Sequence, residues 1–511
     1  MTFIQNKRNI LFIFFLYSVS NFFLLLNYDG IYWDDWVLKN QTIDTIKSIF
    51  FTNGNFMKFY IHNFLLTSFI SVEVYRSIVF ILYFLSGLFV YKLTSKIDVL
   101  KEYKILITLI YLVVPLNSAK IALINVPAII FLFIFFLSFY LLSIYLVKKQ
   151  NYFLRIIILF LFFLSFMQAS LLIFYILPLL YIFYFIYRNN KRKKGYYKYL
   201  LKYVDFITLP ILYYSLKNLF FKPYGLYADY NQIHIGVSTF KLIIKSFSTS
   251  FVDPIYYAFF ASLEHLYIFL PVSMLLYIFI SKLVFQKKDV KILFSLFGFG
   301  IFIFVIAVFP YAVVGKLPHL FGWESRHQLL IPLGYSFILL SLYLFTKRKY
   351  DFFSNILLSI IISMFISATY ANNFKYERDW FYQLALEKNM QKSNIIRNNS
   401  TFIVNLENSN VLANHRNISF YEFGGHSKKA FGVDNKLFVE NVNDIKVYFQ
   451  YKEYKQYNFS HWSYKKPILL EVRFNPISTV QMYRLVYLYI IQKDDFNKEI
   501  IKYVIIRKKN V

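Results

Sequence analysis

The sequence predicts an α-helical polytopic membrane protein of about eleven transmembrane helices, followed by a C-terminal extracytoplasmic α+β domain. Three observations predict it. Hydrophobic residues make up 58% of the 511 positions and charged residues 16%, against about 25% charged in an average soluble protein. The apolar residues gather into runs approaching the ~20 residues that cover a ~30 Å hydrocarbon layer as a helix. Basic residues fall in alternate connections between those runs, and the composition becomes more polar after residue 370.

The runs lie near 9–28, 75–93, 105–116, 126–147, 154–168, 170–187, 203–221, 264–285, 292–313, 328–346 and 352–370. The third and fifth are short, and the fifth and sixth are one apolar stretch broken at Gln168, Ala169 and Ser170, which reads as a tight external turn. With the N-terminus inside, the inner connections carry Lys7 and Arg8, Lys96 to Lys104, Lys148 and Lys149, Arg188 to Lys194, Lys287 and Lys288, and Lys347 to Lys349. Each is basic, as the positive-inside rule requires. An odd number of spans then places residues 371–511 outside the cytoplasmic membrane. No small-residue cleavage site follows the first run, so it is expected to stay as a helix.

Sixty-two Phe and 46 Tyr against 14 Gly and 12 Pro exclude a disordered or collagen-like chain. The absence of Cys excludes disulfides, cysteine-ligated metals and thiol nucleophiles. The net charge of +29 does not indicate a nucleic-acid partner, because the basic residues are spread between spans rather than gathered on one solvated face. In this topology all eight His and all five Trp are external. Acid–base chemistry therefore belongs to the external face, although orientation bias and interfacial Trp produce a similar segregation.

The first external loop, 29–74, is too long for a hairpin. Apolar positions at helical spacing over 41–51 and 56–70 predict two amphipathic helices on the membrane surface. It opens with Tyr32-Trp33-Asp34-Asp35-Trp36. Two adjacent carboxylates suit proton abstraction from a sugar hydroxyl, or a divalent cation as cofactor. The same residues also suit a short helix capped by Asp34, with Trp33 and Trp36 in an interfacial belt.

A late external loop, 314–327, holds Lys316, His319, Glu324, Arg326 and His327. A guanidinium where the next helix starts can grip phosphate oxygens in two places, and His327 can add a hydrogen bond or a charge. The plainer alternative pairs Arg326 with Glu324 and leaves both His in water. In the loop 222–263, the tyrosines around Tyr224 to Tyr230 either stack on sugar rings or pack at the lipid interface.

A long acidic, aromatic loop after the first of about eleven spans, with an external C-terminal domain, resembles the polytopic glycosyltransferases of the GT-C superfamily. The likeness covers residues 1–370 and rests on architecture and one short acidic pair. It implies a polyprenyl-phosphate-linked sugar donor, an extracytoplasmic glycan, lipid or protein acceptor, and contact with membrane lipid. It further implies that Asp34 or Asp35 is the catalytic base or helps to hold a metal. Carrier and substrate binding would fall to Arg326, His327, His319, Lys316 and Glu324, with Trp33 and Trp36 alongside. A transporter or carrier-binding protein for lipid-linked glycans is the alternative, but it would place ionisable residues within the spans, which hold almost none. A membrane anchor is a third class and needs far fewer spans.

After residue 370 an amphipathic helix is expected over Lys375–Arg397, then strands at Thr401–Asn405, Ile445–Tyr451, Pro467–Phe474, Met482–Ile491 and Ile500–Ile506. Gly424-Gly425 reads as a turn, and His415, His426 and His461 as surface residues.

Overall fold

The computed structural model describes residues 3–68, 72–147, 151–189, 201–229, 231–286, 288–433, 435–445 and 466–509. Each apolar run falls on a helix, and the protein is a helical membrane protein with a small sheet in its C-terminal region. Among the described residues, five helices are long and apolar enough to cross a bilayer: Val74–Thr94, Leu123–Val147, Ser170–Arg188, Val290–Ala312 and Asp351–Lys392. A sixth arises if Val237–Glu264 and Leu266–Ser281, bent by 111°, count as one span.

The short third run is a different kind of element. Nine of the ten residues of Lys104–Val113, all but Lys104, are buried, against Glu73–Thr94, Ile331–Lys347 and the long helix Asp351–Lys392. At 1.5 Å per residue it is about 15 Å long, half a hydrocarbon layer. Its chain then turns through Asn117, at φ 57°, into short 3₁₀ turns at Ser118–Ile121 and Leu123–Asn125. A helix wrapped by protein can be this short because its exposed ends meet buried partners rather than lipid.

Asp351–Lys392 has 42 residues, about 63 Å of continuous helix. It passes without interruption through the 370/371 boundary expected from composition and carries the C-terminal region on its upper half. There β1 (Thr401–Glu407), β2 (Leu437–Val439), β3 (Ile468–Phe474) and β4 (Val504–Lys508) form one sheet in the order β2-β1-β3-β4, with only β4 antiparallel.

Two expected strands fare differently. Met482–Ile491 is helix, Thr479–Ile491, started by a capping box between Ser478 and Gln481 and burying Met482, Leu485, Leu488 and Tyr489 at helical spacing. Residues 446–451 of the other, and His461, lie outside the described residues. Gly424-Gly425 is also not a turn. Both sit inside the helix Phe420–Phe431, where a Cβ on Gly425 would meet the Trp36 ring at 2.2 Å. His426 on that helix is buried against Trp36, at 4.4 Å between centroids, whereas His415 is exposed as expected.

A buried ion cluster joins the long helix to the C-terminal segment and touches the first loop at Tyr32. Arg416 donates to Asp379 at 2.7 and 2.9 Å and to Glu422 at 2.8 and 3.0 Å, and its guanidinium lies 5.6 Å from the Tyr32 ring. Both carboxylates are fully buried. Removing one side of such a cluster strands charge in a low-dielectric interior, at about 3–5 kcal/mol. Arg416→Met should therefore lower the apparent Tm of detergent-solubilised protein, and adding Asp379→Asn with Glu422→Gln should recover part of the loss. An unchanged Tm in the single variant would show that the cluster is not holding the two parts together.

Candidate functional site

The segment after the first apolar run folds back on the long helix. Asn27 donates to the Tyr32 hydroxyl at 2.7 Å, which donates to the Tyr376 carbonyl at 2.6 Å, and Arg76 donates to the Gly30 carbonyl at 2.5 Å. Trp33 then takes a left-handed backbone, φ 49°, and the chain enters the short helix Asp35–Asn40.

The two acids part company here. The Asp35 carboxylate is fully buried and accepts three backbone N–H groups: Tyr32 at 3.2 Å and Leu123 at 2.9 Å on one oxygen, Ile124 at 3.0 Å on the other. Burial pushes its carboxyl up to about 7, while those amides and Arg76 draw it back down. Its acceptor capacity is largely spent on holding two loops together. Asp34 is only partly buried and makes no side-chain cap on the helix it precedes. Burial raises its carboxyl above the ordinary range, and Arg326 and a hydrogen bond from Tyr421 oppose that.

Arg326 comes from the late loop, held by small buried groups. The Ser325 hydroxyl meets Ser118 at 2.8 Å and accepts from the Ala119 N–H at 2.8 Å, while Gln328 donates to the His319 carbonyl at 2.6 Å. Gly322, at φ 70°, starts the 3₁₀ helix Trp323–Gln328. The Arg326 guanidinium lies 4.1 Å over the Trp323 ring and 3.5 Å from Glu324, and Trp323 lies 5.8 Å from Trp33. His327 Nδ1 is 3.0 Å from the other Glu324 oxygen, with its ring 4.7 Å from Tyr311. The hydrogen bond to His327, with the nearby cations, pulls Glu324 down to about 2 against burial. Burial lowers His327, which favours the neutral, hydrogen-bonding imidazole over the charged one.

The remaining expected residues divide. Glu324 pairs with Arg326 as the plainer reading had it, but His327 is buried rather than in water. His319 lines a cleft of about 670 Å³ with Asp253, Tyr256, Phe260, Trp323 and Glu324, and neither Asp34 nor Arg326 borders that cleft. Lys316 donates to Asn231 at 2.8 Å, at the outer edge of the loop. Trp36 must be withdrawn from the substrate-binding set. It is 1% exposed, packed on Gly425 and His426, because the helix Phe420–Phe431 covers this side of the helix Asp35–Asn40.

Two residues went unnoticed in the sequence. Lys58, on the helix Phe56–Ser68, is lowered to about 8 by burial and by the like charges of Lys217 and Arg326, and it makes no ion pair among the described residues. Lys217 arrives because the end of the helix Val204–Phe220 docks on the start of that helix, with Phe56 stacked on Phe221 at 4.0 Å. Their positions in separate amphipathic and apolar runs gave no sign that they converge. Arg326, Lys58 and Lys217 beside Asp34 and Glu324 leave an excess of positive charge, the electrostatics of an anion site. Among the described residues no three His, Asp or Glu side chains gather as a metal site would need. No family model matches the chain, and no curated protein matches it either.

Asp35→Ala should lower the apparent Tm, by about 1–3 kcal/mol of stability for each backbone amide left without a partner. Asp34→Ala should change stability by no more than about 0.5 kcal/mol, the usual range for a site outside such a network. Equal losses in thermal unfolding would contradict the division of labour between them. Lys58 carries its charge below about pH 8, so binding of inorganic sulfate, measured by calorimetry, should weaken as the pH rises through that value. Lys58→Met should flatten the profile.

Proposed function

We propose that the protein is an integral-membrane glycosyltransferase of the GT-C type, moving a sugar from a polyprenyl-phosphate carrier to an extracytoplasmic acceptor. One observation carries this reading: the Trp33 and Trp323 rings lie 5.8 Å apart, which brings the loop of Asp34 to the loop of Arg326, 292 positions away, and the guanidinium opposes the burial-raised carboxyl of Asp34. In the proposed topology both residues lie on the outer side of the cytoplasmic membrane.

Asp34 takes the proton from the acceptor hydroxyl as that oxygen bonds to the anomeric carbon. The bond from that carbon to the carrier phosphate oxygen breaks, and the electron pair leaves on the phosphate. Arg326 and Lys58 offset the developing negative charge, the largest electrostatic demand of the step. A carboxyl raised by burial is a stronger base than a solvated one, which suits Asp34 to its part. Asp35 supports the site through the backbone alone, and Glu324 orients Arg326 and His327. Trp33, tilted against Trp323, forms the aromatic side of the site.

Asp34→Asn should reduce transfer from a synthetic polyprenyl-phosphate sugar by about 10²–10⁴-fold, the range of a general base, with an unchanged Tm. Arg326→Met should impair both carrier binding and turnover. Carrier binding that survives in Asp34→Asn together with full transfer would remove the base; binding by the native protein without any transfer would favour the carrier-binding reading instead.

A further inference from the structure

The helix Thr479–Ile491 lies at an unusual place for its composition. Among its thirteen residues, TVQMYRLVYLYII, only Arg484 is charged. One side packs inward, with Tyr489 at 5.3 Å from Phe381 and 4.8 Å from Phe496. The opposite side is apolar as well: Val480 is 80% exposed, Tyr487 55%, Ile490 53% and Ile491 64%. These positions recur at i, i+7, i+10 and i+11, so they form one stripe along the helix rather than scattered surface residues.

The helix is fixed at the level where apolar helices end. The Tyr483 hydroxyl bonds to Tyr267 at 2.6 Å and to Tyr370 at 2.7 Å. Tyr267 is in the first turn of Leu266–Ser281, and Tyr370 is the last residue of the apolar run in the long helix. Tyr489 stacks on Tyr28 at 5.6 Å, just after the helix Phe22–Leu26. Leu266 and Leu270 beside Tyr267, and Phe22 and Leu25 before Tyr28, are themselves exposed. The apolar stripe of the C-terminal region therefore continues the apolar faces of the membrane-embedded helices.

We infer that Thr479–Ile491 lies in the membrane surface on the side that carries the C-terminal region, with Val480, Tyr487, Ile490 and Ile491 among the outermost acyl segments. Arg484, on the exposed side of the same helix, is placed to meet lipid phosphates, and tyrosine favours this boundary because its ring is apolar and its hydroxyl is not. The sheet is thereby tied to the bilayer at a second place, independent of the long helix. The inference stands apart from the proposed transfer reaction.

The chain has no Cys, so a single introduced thiol reports one position. Tyr487→Cys and Ile491→Cys, each labelled with an NBD fluorophore in full-length protein in phosphatidylcholine–phosphatidylglycerol nanodiscs, are compared with Arg473→Cys on β3, which is exposed. Blue-shifted emission, and quenching by a nitroxide on a shallow acyl carbon at least severalfold stronger than at position 473, are expected at 487 and 491. Emission and quenching matching position 473 would overturn the inference. A blue shift without lipid quenching would overturn it too, and would mean that a second copy covers the stripe.

Discussion

A single buried carboxylate organises the face that carries the candidate site. Asp35 accepts N–H groups from its own turn at Tyr32 and from Leu123 and Ile124 in the connection that leaves the short buried helix. A backbone N–H without a partner in such a place is costly, so the first loop and that connection are held in one register. The same connection reaches the late loop through the Ser118–Ser325 hydroxyl pair. Three segments far apart in sequence are thus joined by two buried polar nodes, and the approach of the Asp34 loop to the Arg326 loop follows from them. The cost of the arrangement is that Asp35 has little capacity left for chemistry, and Asp34 is the acid that remains.

The second constraint is the unbroken helix Asp351–Lys392. Because it belongs both to the membrane-embedded part and to the C-terminal region, the latter has no hinge of its own along this element. Arg416 between Asp379 and Glu422, and Trp36 seated on Gly425, close the same junction from the other side. Arg416 also lies 6.0 Å from the Trp33 ring. The C-terminal region is therefore part of the wall of the candidate site rather than an appendage, and this gives a physical role to a region whose sequence carries no catalytic motif.

Much of the helical layout was legible. The two amphipathic helices of the first loop appear as Ile43–Thr52 and Phe56–Ser68, where the periodicity put them, and β1 and β3 match the runs rich in β-branched residues. The errors have specific causes. Met482–Ile491 is rich in Tyr, Val and Ile, which favours strand locally, yet Ser478 and Gln481 cap a helix whose inward face has 3.6-residue spacing. Gly424-Gly425 resembles a turn until Trp36, nearly four hundred positions away, is found to need the missing side chain. The run at 105–116 resembles a span because burial by protein and burial by lipid select the same apolar residues.

The sequence by itself determined that the chain is a helical membrane protein, where its helices lie, and which two loops concentrate charge and aromatic rings, because hydropathy and periodicity are local quantities. Only the tertiary structure decided which member of the Asp34-Asp35 pair is tied to backbone amides and which faces Arg326, that Trp36 is core, and that Lys58 and Lys217 gather beside Arg326. The reason is that burial and electrostatic environment depend on neighbours brought from distant segments, and no local pattern encodes who those neighbours are.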